Sequence, residues 1–441
     1  MEIDLPKMYI GSDVLSNFDK AIQMEWIVTN GLGGYASSTV LGINTRKYHG
    51  LLVAAFHPPV DRRVLLTKLD EEICVENRTY PTGSNEFKHG VQPKGYQFLS
   101  YFSLDPFPKY GYVAEEIQLQ KTIFMPYEKN ATIVSYEVFN SNENKVSIRI
   151  LPMVNSRHFH SVTDKDQLAW DFVQKSFEQG VTIQPSVPTS TLIVFSTEGR
   201  YFVGGGEWVK ETYFRVDDSR GESCFDDDFQ PGWFALEDEA RNILSSFSER
   251  LENIDALYNW ELKRRKSLLT KFQERYIDIR MEDWLKWLIL ATDSFIVHRE
   301  STKTKSVIAG YHWFEDWGRD SLISLHGLTL VTGRFEDARE ILSMFKHYCY
   351  KGIVPNRFPD HAGDQPIYNT VDATLWYFHA VLQYLKYTAD LDFVQKELWD
   401  TMKSIVEHHI HGTLYHIRLD DDGLIAHGPQ LTGVDATVNG Q

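Results

Sequence analysis

The sequence predicts a multidomain chain in which an N-terminal antiparallel β-sandwich is followed by a region of paired helices. Three observations carry this. Up to about residue 235, short alternating or apolar runs recur between turn signals with no strong helix among them. Between 240 and 276 the chain is rich in Glu, Arg, Lys and Leu and holds neither Pro nor Gly. There Leu244, Phe247, Leu251, Ile254, Leu257 and Leu262 roughly follow the 3.6-residue period. Beyond 277, long helical patterns succeed one another, joined by loops loaded with polar and aromatic residues, as in stacked αα-hairpins. The expected boundaries are 1–235 for the sandwich, 236–276 for a linker helix acting as a solvated strut, and 277–441 for the helical domain.

Composition bounds the function. A length of 441 residues accommodates two or three domains. Hydrophobic and charged fractions of 42% and 24% are those of an ordinary soluble globular chain. A net charge of −16 repels phosphate backbones and anionic lipid, which argues against nucleic acid or a membrane as the main partner. Cys74, Cys224 and Cys349 are far apart and odd in number, so they form neither a disulfide framework nor a zinc ligand set. The opening residues, Met1 to Pro6, carry no basic region and no apolar core of a signal peptide. A reducing, cytoplasmic setting is expected.

In the first region, Thr132 to Phe139 and Val146 to Leu151 flank a polar turn and read as a hairpin; so do Leu192 to Ser196 and Tyr201 to Val203. Gly31, Gly33 and Gly34 lie in Trp26 to Ser38. They fit a phosphate loop poorly, since no Gly-Lys-Ser/Thr follows and no βαβ pattern surrounds them, so a tight turn with close backbone approach is expected. Thr45-Arg46-Lys47-Tyr48-His49-Gly50 reads as a basic pair at a strand edge beside a packed Tyr. Arg157, His158 and His160 invite a metal, but no carboxylate motif accompanies them. In the second region, helices are expected over Asp283 to His298 (apolar nearly all round, hence buried), Asp320 to Val331, Phe335 to Tyr348, Asn369 to Tyr387 and Asp392 to His411. Asp392 and Gln395 resemble a capping box, and Leu414 to Ile425 reads as a hairpin.

The densest chemistry lies in Trp313-Phe314-Glu315-Asp316-Trp317-Gly318-Arg319-Asp320. Aromatic faces accept the C–H face of a sugar ring and carboxylates accept its hydroxyls. With this stretch, Trp26 to Ser38, Thr45 to Val53, Val64 to Glu71, Pro355 to Asp360 and Tyr368 to Trp376, the chain resembles the prokaryotic-type glycogen debranching enzymes, an amylo-α-1,6-glucosidase family.

The resemblance implies an N-terminal β-sandwich, a linking helix and an (α/α)6 toroid, of which about five of the twelve helices are visible. The chain is therefore expected to be C-terminally truncated. It implies inverting hydrolysis of α-1,6-glucosidic branch linkages by two carboxylates, with glycogen or limit dextrin as partner and without metal or cofactor. Gln430 to Ala436 matches the family's Leu-Thr-Trp-Met-Asp segment, with Gly433 and Val434 in place of Trp-Met, which makes Asp435 the candidate general acid. The general base is expected beyond Gln441. Arg319 and Asp320 would hold the terminal glucose, and Asp372 would accept a further hydroxyl. Asn356 and Arg357 would line the same cleft, and Trp313, Phe314 and Trp317 would stack. Each also has a structural reading: Asp320 as a helix N-cap, Asp372 in a capping box with Asn369, the aromatics as core, Asp435 as a solvated carboxylate on a frayed tail. The alternatives are a non-catalytic glucan-binding protein or another six-hairpin toroid glycosidase.

Overall fold

The computed structural model describes residues 3–140, 145–187, 190–237, 243–247, 251, 253–358 and 365–433. The chain divides into two compact units, one up to Lys266 apart from His57–Val60, the other taking in that tetrapeptide and the chain from Ser267.

The first unit is sheet-rich and antiparallel. Among the described residues, nine strands form one sheet in the order Met8–Gly11, Leu99–Leu104, Pro108–Ala114, Ile117–Phe124, Ala131–Asn140, Ile243–Phe247, Leu192–Ser196, Gly180–Pro185 and Phe172–Phe177. Eight form another: Arg200–Tyr213, Phe225–Glu237, Val146–His158, Val60–Val75, Gly50–His57, Tyr35–Thr39 and Glu25–Thr29, with Arg78–Pro81 paired to Val60–Val75. Alternating burial turns one face of each sheet inward. Phe102, Leu119 and Ile123 of the first join Leu52, Leu66, Ile150 and Phe234 of the second in one apolar cluster.

Both expected hairpins are corrected. Ala131–Asn140 and Val146–His158 lie in different sheets, as do Leu192–Ser196 and Arg200–Tyr213. A short polar turn between alternating runs is common to a hairpin and to an arch between sheets, so the pattern alone does not separate them. The expected linker is also shorter. Its helix runs Ile254–Arg275, and Ile243–Phe247 is a strand between Ala131–Asn140 and Leu192–Ser196. Nor is the helix a solvated strut. Ile254, Leu257 and Leu262 pack with Phe107, Phe124 and Ile133, and buried Glu261 pairs with Arg264 and Arg265.

Two motifs of this unit are structural. Gly31 has φ +74°, and a Cβ there would stand 2.4 Å from the Tyr127 ring, as the close-approach reading expects. In the basic motif, Arg46 pairs with Glu25 at 2.7 Å, Lys47 with Glu222 at 2.7 Å, and Tyr48 is buried. Arg157 is bonded to Asp226, and no group of three or more His, Cys, Asp or Glu among the described residues is placed to hold a metal.

The second unit is helical: Asp283–Phe295, Gly318–Leu325 continued as a π-turn over His326–Leu330, Phe335–Tyr348, Asp372–Thr388 and Trp399–His411. Leu322, Leu325, Ile341, Phe345, Tyr377 and Val381 meet in its core. Asp283–Phe295 is not buried all round: Trp284 and Leu288 are exposed. The cap expected at Asp392 is Asp390, whose side chain accepts the Phe393 N–H at 3.1 Å.

Candidate functional site

The aromatic-acidic stretch follows a hairpin in which Ile296–Arg299 pairs with Thr304–Val307. Ile308 bridges Asp316, and the Ala309 N–H donates to the Glu315 carbonyl at 2.9 Å, so the intervening loop is closed at its neck. Trp313 and Phe314 stand on that loop, 36% and 46% exposed. Phe314 meets half-buried Trp317 edge-on, ring centres 6.2 Å apart.

Asp316 anchors the neck. It is buried, and one carboxylate oxygen accepts from Arg299 Nη1 at 2.5 Å and from Ser306 Oγ at 2.8 Å. Arg299 is itself buried, its guanidinium 5.0 Å from the centre of the Phe358 ring. Burial pushes the Asp316 carboxyl up, against the pull of Arg299 and Ser306. A buried guanidinium without a partner is costly, and Asp316 with Ser306 beside it is what meets Arg299 here. Beside it, Glu315 accepts from Arg357 Nη2 at 2.9 Å.

A second segment is laid on the first by backbone. Trp317 bridges Arg357, and the Gly318 N–H donates to the Asn356 carbonyl at 2.7 Å. The approach requires glycine: a Cβ on Gly318 would stand 2.0 Å from the Pro355 carbonyl oxygen. Asn356 is buried, and its side-chain Oδ1 has no hydrogen-bond partner among the described residues.

The helix that follows has Trp317 at its N-cap and no side-chain capping bond, so Asp320 stands at the third helical position and not at the cap. Arg319 Nε donates to Asp372 Oδ2 at 2.8 Å. Asp372 Oδ1 accepts from Thr370 Oγ1 at 2.7 Å, and Thr370 Oγ1 accepts the Ala373 N–H at 3.1 Å, a role expected of Asn369. Burial acts to raise the Asp372 carboxyl, but Arg319 and Thr370 outweigh it and hold the group below its ordinary range. Asp320 goes the other way. Burial pushes its carboxyl up, Asp372 adds to the effect, and the residue still reaches solvent. Asp372 is thus a fixed anion that orients Arg319, while Asp320 is a carboxyl open to a ligand.

The structure therefore brings Trp313, Phe314, Trp317, Arg319, Asp320, Asn356, Arg357 and Asp372 into one assembly of loops and helix starts. Asp435 lies outside the described residues. The chain leading to it is placed as far as Gly433: the Leu431 carbonyl accepts the Val371 N–H at 2.8 Å, and Leu431 is buried with Ile353, Val371 and Ile417. Sequence reasoning missed Arg299 and Ser306, which carry no local signal, and the structural part of Glu315 and Asp316, visible only as acidic members of the motif.

Residues 24–242 match the family described as glycogen debranching enzyme N terminal, and residues 290–441 match the family described as amylo-alpha-1,6-glucosidase. The chain belongs to the glycogen debranching enzyme family. The second of the two matches takes in every residue of the assembly above. A debranching relative, the glycogen debranching enzyme of Saccharomyces cerevisiae, is 37% identical over 81 residues, which is 18% of this chain and 5% of the yeast protein. Among solved structures, a bacterial glucoamylase complexed with acarbose is similar at a TM-score of 0.43 and 10% identity, over 89% of this chain and 57% of that one. A family GH92 inverting mannosidase from Bacteroides thetaiotaomicron is similar at 0.30 and 10%, over 91% and 63%. The chain thus spans less than two thirds of the length of each of these relatives.

Proposed function

We propose that this chain carries the sugar-binding assembly and the general acid of a glycoside hydrolase that acts on the α-1,6-glucosidic branch linkages of glycogen or limit dextrin. The observation that carries the reading is the Arg319–Asp372 ion pair, set beside the solvent-reaching Asp320 carboxyl. A glucose ring laid on Trp313, Phe314 or Trp317 has a hydroxyl acceptor in the Asp320 carboxyl. The names of the two matched families, glycogen debranching enzyme N terminal and amylo-alpha-1,6-glucosidase, support this linkage and this polymer. The sheet unit is read as the family's sandwich and the helices as part of its (α/α)6 toroid, with domains near 1–235 and 277–441.

Hydrolysis proceeds by inversion: one carboxylic acid protonates the leaving oxygen, and one carboxylate activates a water on the opposite face. Asp435 is the acid in this reading. It follows Leu431 by four residues, and Leu431 is tied to the residue before Asp372. The base is left unassigned.

The test is glucose release from phosphorylase limit dextrin by the purified chain, followed by NMR of the first-formed anomer. The β-anomer is expected first. Asp435→Asn is expected to lower kcat by about 10²–10⁴-fold, as for loss of a general acid, with KM little changed. Arg319→Ala is expected to raise KM. Release of the α-anomer first, or full activity in Asp435→Asn, overturns the mechanism. Glycogen binding without any glucose release favours the non-catalytic alternative.

A further inference from the structure

We propose that the outer face of the nine-stranded sheet carries a second glucan-binding site centred on Tyr9, in the sheet unit and separate from the helical assembly. The edge strand Met8–Gly11 pairs with Leu99–Leu104, placing Ile10 opposite Phe102, toward the core. Side chains alternate across a strand, so Tyr9 and Gly11 face outward. Tyr9 is 68% exposed, yet its ring is not loose: it stacks on Tyr101, centres 5.6 Å apart and planes within 22°.

Tyr101 is itself bedded. Its register partners are Gly11 on one neighbouring strand and Gly111 on the other. A Cβ on Gly111 would stand 2.0 Å from the Tyr101 ring, so the ring rests on bare backbone there. Its hydroxyl donates to Gln120 Oε1 at 2.8 Å. The upper ring is therefore held in place before any ligand arrives, and little rotamer freedom remains to be lost.

A carboxylate completes the arrangement. Asp13 Oδ1 lies 2.9 Å, and the Tyr9 ring edge 3.4 Å, from the point where a Gly11 Cβ would stand. An aromatic face with an acceptor at its rim is what a pyranose needs: its C–H face lies on the ring and a hydroxyl bonds the carboxylate. The surroundings favour a sugar over a protein partner. Tyr9 is an exposed ring with the Asp13 carboxylate near its edge and the Lys7–Asp105 pair just before its strand, whereas the core of a protein interface is depleted of charge. The identity of the sugar as α-glucan rests on the function proposed above. On a branched polymer, a second hold raises the effective concentration of chain ends at the helical assembly.

The experiment is affinity electrophoresis of the full chain in glycogen-containing gels, with Tyr9→Ala, Asp13→Ala and Tyr9→Phe, alongside glucose release from a small branched oligosaccharide. Tyr9→Ala is expected to weaken retention by glycogen at least fivefold and Asp13→Ala less. Tyr9→Phe should stay near wild type, and release from the small substrate should be the same in all. Wild-type retention in Tyr9→Ala overturns the proposal, as does retention that only Arg319→Ala abolishes. Sedimentation velocity covers a second copy as occupant: self-association lost in Tyr9→Ala with glycogen retention intact also overturns it. If no substrate yields glucose but Tyr9→Ala still loses retention, the hydrolase reading falls and this one stands.

Discussion

Arg319 lies near two carboxylates, its bonded partner Asp372 and its chain neighbour Asp320, and the two meet opposite surroundings. Asp372 is held down by Arg319 and Thr370 against the effect of burial; Asp320 is held up by burial. A carboxyl whose folded pKa is depressed contributes stability above its unfolded pKa and loses it as pH falls through the folded value. Asp372→Asn is therefore expected to lower stability near pH 7, where the ionised carboxylate contributes in full, and to flatten the acid limb of a plot of stability against pH, measured by urea unfolding at pH 7 and from pH 5 downward. Asp316 calls for a larger effect. Removing one partner of its buried pair with Arg299 leaves an uncompensated charge, and Asp316→Ala is expected to lower stability by about 3–5 kcal/mol, read as a lower urea midpoint. The candidate sugar contacts between Trp313 and Asp320 were legible because they are crowded into eight consecutive positions. Arg299 was not: it closes an apolar run 17 positions before its partner, and nothing in a linear pattern marks a pair that only a hairpin brings together.

At the scale of elements, most helices of the second unit were legible from periodicity, and Phe335–Tyr348 has the predicted ends. Their starts were harder, because a cap is settled by backbone path as much as by residue type: Asp320 could cap a helix but follows the cap by three. Asp283–Phe295 was misread because apolar content reports how much surface a helix could bury, not how much its neighbours cover. The helix start at Gly318 invites a sharp test. Its φ is not in the left-handed region; the constraint is the Pro355 carbonyl alone. Gly318→Ala forces the two segments apart. It is expected to lower stability by about 1–3 kcal/mol, as overpacking does, and to raise KM as the helix start moves away from Asn356. Unchanged melting and kinetics would mean that the segments tolerate the shift.

At the scale of the whole chain, the division into a sheet-rich and a helical part was legible, but the wiring of the sheets was not. Deep in the sheet unit, Asp228 accepts from Thr67 and Asn155, and burial, with Asp226 adding, pushes its carboxyl up to about 7. The folded state then binds a proton that the unfolded chain has released. Stability is expected to fall as pH rises from about 4 through 7 and to level off above, and Asp228→Asn should remove part of that fall in calorimetric scans. The arches between sheets have a consequence for synthesis. Ile243–Phe247 lies between Ala131–Asn140 and Leu192–Ser196, so the nine-stranded sheet joins its five-strand and three-strand portions through a strand made last. Until that strand has left the ribosome, two sheet edges stand open to the wrong partner. A nascent chain of this family thus passes through a long interval in which its first unit is nearly all made and cannot yet close. A fragment ending at residue 237 should capture that state as an aggregate, where one ending at 275 stays in solution.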